Sequence, residues 1–176
     1  MHLKCTKDKL SMVSEVNFPP QTLLNGKENE SYYRDSFLVN TSRRHLAAKY
    51  VYHSVFAYLP NFIYRLYKFR NNIAKRFNFS ELTFPVYFQY NDIYQGRKIG
   101  LLTFDKISEA ELVVVAYEKN MDIWVSVLRV TDTRFIISTL TNFKNKKGRI
   151  YMRCIQPLHQ MLTKYCIKQA LKGGRL

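Results

Sequence analysis

Few residues in this chain have the type and spacing that chemistry requires. His45, His53, His159, Cys154 and Cys166 were weighed as metal ligands. Tetrahedral zinc needs ligands converging at about 2.0–2.3 Å. No two of these groups stand at i, i+4 on one helix, so neither a metal nor a cofactor is expected. Glu109 and Glu111 are closely spaced carboxylates, which read as a solvated turn at a strand entry. The chain contains no GxSxG elbow, Walker loop, HExxH pair or dinucleotide fingerprint. With no catalytic residue to name, the chain is expected not to be an enzyme.

Binding chemistry has more to work with. Gly148-Arg149 opens a helix, where free backbone N–H groups favour anions. Lys146, Lys147 and Arg149 would add their charge there, with Gly148 supplying a positive-φ turn. Asp122 reads as a polar group at a cavity mouth or a partner for Arg149. His159 follows Pro157-Leu158 inside the same helix. It reads as a boundary histidine satisfied by hydrogen bonds and, beyond that, as a ligand contact. Cys5, Cys154 and Cys166 read as small buried groups in a reducing compartment. Cys154 and Cys166 sit too far apart on one helix to form a disulfide.

These residues need elements to hold them. From Asn145 to Leu171 the spacing predicts one long amphipathic helix with Tyr151, Cys154, Ile155, Leu158, Leu162, Tyr165 and Cys166 on one face. Pro157 should kink it. Such a stripe needs a sheet to lie on. Residues 99–104, 112–118, 121–131 and 134–144 read as strands of an antiparallel meander, with turns at Lys119-Asn120 and Asp132-Thr133. Residues 31–40 form an earlier strand. A helix pair follows it, over about 43–58 (capped by Thr41 or Ser42) and 61–76, parted by Pro60. Phe62, Leu66, Phe69, Ile73 and Phe77 share one face of the second helix. Residues 80–96 read as irregular, with a short extended piece at 86–90. Residues 1–30 form an N-terminal arm, and 31–176 a single domain.

Length and composition agree with one domain that buries a core: 176 residues, 47% apolar. The net charge of +15 is uneven. Ser36–Ser80 holds eight Lys or Arg and no acid, and Thr133–Leu176 holds ten and no acid. Such a field favours anionic partners. Neither a signal peptide nor a transmembrane run is read, so a cytoplasmic protein is expected, with a membrane surface within reach.

The order of elements is similar to the helix-grip (START-like, SRPBCC) superfamily. More closely, the chain resembles a bacterial family known as domain of unknown function 2867. Three stretches carry the resemblance. Asn120-Met-Asp-Ile-Trp-Val-Ser-Val127 stands where the family tends to show His-Leu-Asp-Phe-Arg. The second is Thr139-Leu-Thr-Asn-Phe-Lys-Asn-Lys-Lys-Gly-Arg-Ile-Tyr151. The third, Pro157-Leu-His159, is close to the family's Pro-Phe-His. Asn120 and Lys144 depart from positions where the family favours histidine. The resemblance covers about residues 32–171. It implies an α+β fold, a curved antiparallel sheet gripping a long C-terminal helix with an apolar cavity between them, and it implies no activity.

The expected function is that of a non-catalytic binding protein for an apolar or amphipathic small molecule. Trp124, Tyr151, Ile155, Leu158, His159 and Leu162 would contact the ligand, with Phe62 and Leu66 as a gate. The alternative is a peripheral module on an anionic membrane surface, through the basic helices. Nucleic acid, approached through interleaved Tyr and Arg at residues 64–70, ranks last. Exposed strand edges leave a dimer open.

Overall fold

The computed structural model describes residues 13–59, 61–80 and 88–176; the side chains of Asn61, Phe62, Tyr64 and Tyr67 lie outside the description. Cys5, Pro60 and residues 86–87 of the expected 86–90 piece therefore fall outside it; Phe88 and Gln89 lie in no strand, and Tyr90 begins a 3-10 turn. The strands are β1 (Val13–Glu15), β2 (Tyr32–Asn40), β3 (Lys98–Ile99), β4 (Leu102–Ile107), β5 (Glu111–Tyr117), β6 (Met121–Thr131) and β7 (Arg134–Phe143). They form one antiparallel sheet in the order β1-β2-β7-β6-β5-β4-β3. Register shifts between Phe104 and Lys106, and between Arg129 and Thr131, help to curve it. The helices are α1 (Ala48–Phe56), α2 (Asn61–Arg76) and α3 (Lys146–Lys172). The α+β class holds, and the arrangement is consistent with a helix-grip fold.

Both sheet faces are covered. Because strand side chains alternate, Phe37 and Val39 of β2, Val127 of β6, and Phe135 and Ile137 of β7 point to one face. There they pack with Val51 and Val55 of α1 and Ile167 and Ala170 of α3. The other face carries Val113, Val115, Trp124 and Leu140, and it is closed by Leu24 and Phe18 of the arm. Glu111 holds the arm down. Its carboxylate accepts from Thr22 Oγ1 (2.5 Å), Ser126 Oγ (2.6 Å) and the Leu23 N–H (3.0 Å). Glu111, only 4% exposed, is thus a staple and not the solvated turn read from sequence.

Several other expectations change. Residues 99–104 are not one strand, because positive-φ Gly100 turns the chain between β3 and β4. The first helix starts at Ala48, after Ala47 and without a side-chain cap. A three-residue strand, β1, precedes the strand expected to come first. The long helix runs through Pro157 without interruption. Its buried stripe is Tyr151, Met152, Thr163, Cys166, Ile167 and Ala170, which leaves Cys154 exposed. On α2, Phe69 is 57% exposed, while Ile63, Arg70 and Ala74 turn inward.

Candidate functional site

The helix-covered face of the sheet is packed as two clusters, and the space between them is a partly open cavity of about 380 Å³. One cluster is the main core around Phe37, Phe104 and Ile137. The other joins Ala74, Phe79, Met121 and Tyr151. Between them the sheet presents modest side chains: Ile123 and Val125 of β6, Thr139 and Thr141 of β7. They do not reach α3, whose Ile155, Leu158 and Leu162 look down at them and stay half-buried. Tyr52 and Phe56 of α1, Phe88, and Leu102 of β4 close one end with rings and aliphatic groups.

Six of the eight expected contact residues line this cavity: Tyr151, Ile155, Leu158, His159, Leu162 and Leu66. Trp124 does not. It projects from the opposite face of the sheet, under the arm and edge-on to Tyr117, so its reading as a ligand contact is corrected. Apolar groups stand on both faces of β6, with Ile123, Val125 and Val127 opposite Trp124 and Leu128, which hides the parity. The Phe62 side chain lies outside the described residues.

The anion site expected at the start of α3 is also changed. Asn145 caps the helix, its Oδ1 accepting from the Gly148 N–H (3.2 Å). Arg149 donates to Ser31 Oγ (2.9 Å), and Lys146 and Lys147 are solvent-exposed. The chain's own side chain therefore takes one of the N–H groups an anion would use. Asp122 pairs with Lys144 (2.6 Å) rather than Arg149. Gly148 is helical, and its role is close approach: a Cβ there would run into the Asn120 carbonyl oxygen. Asn120 is itself clamped. It donates to Phe77 O (2.9 Å), accepts from Asn145 Nδ2 (2.9 Å), and its carbonyl accepts from Lys144 N (2.9 Å).

Two polar groupings border the cavity, and only His159 and Tyr151 among their members were anticipated. The first is built on Asp35 of β2, 6% exposed. Its Oδ2 accepts from Tyr33 OH (2.6 Å) and lies 3.4 Å from His159 Nε2, which is 3.2 Å from Thr139 Oγ1. Gln160 donates to Tyr33 OH (3.2 Å). Burial alone would raise the Asp35 pKa. The hydrogen bond and charge of His159, with bonds from Tyr33 and Thr139, outweigh it and leave the carboxyl below its ordinary range. Burial and the neighbouring carboxylate push the Tyr33 phenol up. The grouping ties the middle of α3 to β2 and β7 and holds the His159 ring at the cavity wall.

The second grouping is Arg70 of α2 and Tyr151 of α3. The guanidinium lies 5.6 Å from the Tyr151 ring centre. Its Nη1 donates to Ser80 O (2.8 Å) and Asn71 Oδ1 (3.1 Å). Tyr151 is fully buried and stacked on Phe79 (4.2 Å between centroids). Its hydroxyl lacks a partner in bonding geometry. Burial raises that phenol's pKa, and the adjacent Arg70 partly offsets the rise. A signal for Arg70 existed: it falls on the stripe of Ile63, Leu66 and Ala74, where a solvated base does not belong.

The cavity can hold an apolar body and meet it with a few polar atoms. Among the described residues no group of three or more His, Cys, Asp or Glu could hold a metal, and no helix is long and apolar enough to cross a membrane.

Residues 28–166 match the model of the family described as protein of unknown function (DUF2867), and the chain belongs to that family. A comparison with curated proteins finds no match.

Proposed function

We propose that this member of the DUF2867 family is a non-catalytic binding protein for an apolar or amphipathic small molecule held between the sheet and α3. The observation that carries the reading is the cavity of about 380 Å³, lined mainly by aliphatic and aromatic groups. That size lies within the usual range for small-molecule sites, roughly 300–1,000 Å³. An exposed Cys154 and an unpaired Cys166, whose thiol burial pushes up to about 11, suit a reducing, cytoplasmic setting. The test is native mass spectrometry of freshly purified protein, paired with titration of an uncharged environment-sensitive fluorophore. A co-purifying small mass that the fluorophore displaces supports the reading. Neither a retained mass nor fluorophore binding would overturn it.

A second reading rests on charge and exposure together. None of the three helices carries an aspartate or glutamate. Phe69, Ile150 and Met161, each about half exposed, stand among their lysines and arginines. That mixture suits the surface of an anionic bilayer. Flotation with phosphatidylserine-containing against neutral vesicles tests it, and equal recovery from both sinks it.

A further inference from the structure

We propose that the ligand of this cavity is an acid, an amphipathic carboxylate whose head is received by Arg70 and Tyr151 while its apolar body runs toward Tyr52, Phe56 and Phe88. This rests on the cavity being a ligand site. It adds the chemical class of the occupant and the end at which its charge lies.

The argument starts from two polar side chains that a core would not choose. Arg70 is 8% exposed and lines the cavity. A guanidinium taken out of water is costly unless an anion or enough acceptors meet it. Here one nitrogen, Nη1, serves a carbonyl and an amide oxygen. Among the described residues no carboxylate pairs with Arg70, and the nitrogen seen to donate is Nη1. Beside it stands the Tyr151 hydroxyl, completely buried, next to the guanidinium and, among the described residues, without a hydrogen bond of good geometry. A cationic fork and an O–H donor at one end of an apolar cavity are what a carboxylate requires. Its two oxygens accept from the guanidinium and the phenol, and charge assistance makes such bonds stronger than neutral ones.

Among the described residues Glu118 is the acid near this pair. It is 6% exposed and accepts from Ser80 Oγ (2.9 Å), while the Ser80 carbonyl accepts from Arg70 Nη1. It does not line the cavity. Glu118 thus offsets part of the Arg70 charge without filling the place a ligand head would take. At the other end Tyr52, Phe56, Phe88, Leu102 and Cys166 offer no charge, so orientation is set: head to Arg70, body to the rings.

The experiment compares matched probes, dodecanoic acid and 1-dodecanol, each displacing an uncharged fluorophore at neutral pH. Wild-type protein is expected to bind the acid about tenfold or more tightly than the alcohol. Arg70→Gln should erase that preference and leave alcohol affinity within about twofold. Tyr151→Phe should weaken the acid by about three- to tenfold and spare the alcohol. Because Tyr151→Phe removes one buried oxygen and no packing, it keeps the test intact if Arg70→Gln fails to fold. Equal binding of acid and alcohol to wild type overturns the head assignment while the cavity reading stands. Failure of both probes and of the fluorophore overturns the cavity reading, and this inference with it.

Discussion

Replacing Gly148 by alanine sets two effects of opposite sign against each other. In a helix interior, alanine is favoured over glycine by about 1 kcal/mol, so propensity alone argues for a more stable protein. The new Cβ, however, meets the Asn120 carbonyl oxygen at far less than contact distance, with the carbonyl carbon at 3.2 Å and Met121 Cβ at 3.6 Å behind it. Asn120 cannot withdraw freely, since its amide is tied to Phe77 and Asn145 and its carbonyl to Lys144 N. Overpacking of this kind costs about 1–3 kcal/mol, and losing the Lys144 bond adds about 1 kcal/mol. The net expectation is a loss of about 1–3 kcal/mol. For a domain of this size that is a fall in Tm of about 2–12 °C. Thermal and urea unfolding read it directly. Tyr151 follows one turn after Gly148, so ligand affinity should fall as well. A variant as stable as wild type, or more so, would refute the close-approach argument.

Val125→Phe, which extends a ring into the cavity from β6, should abolish fluorophore binding and change stability by no more than about 1 kcal/mol, because the space is open; binding within threefold of wild type would contradict it. Asp35→Asn should destabilise by about 1–3 kcal/mol at neutral pH. The Asp35 pKa lies below its ordinary 3.8, so its contribution is fully present above that value and is lost as pH falls through the lower folded value. The wild-type-minus-variant stability difference, from urea unfolding, should therefore shrink in acid, and a difference independent of pH would count against the bonding described. Glu111→Ala should free the arm, seen as faster proteolysis within residues 16–30 and a red-shifted emission from Trp124, the single tryptophan. In wild type, cavity ligands should leave Trp124 emission unchanged, since that ring lies on the far face of the sheet; a large response would reopen its assignment.

The chain's local patterns determined the kinds of element and their order. β-Rich runs bounded by turns over 112–118, 121–131 and 134–144 and the 3.6-residue stripe over 145–171 placed three strands and the long helix within a residue or two. Six cavity residues were legible because an amphipathic helix must turn its apolar stripe to the sheet. Which face of β6 meets the helix was not legible, because apolar groups occupy both faces and a shift of one residue exchanges them; hence Trp124 was misplaced. Nor could spacing reveal that Arg70 meets Tyr151, that Asp35 meets His159, or that Glu111 waits for Thr22. Asp35 and Glu111 looked like ordinary polar residues in their own segments, and Arg70, though out of place on its helix stripe, named no partner. Only the assembled sheet and helices bring these distant pairs together and exclude the water that would otherwise serve them. The cost of a buried polar group comes from its surroundings, and those exist only once the chain has folded.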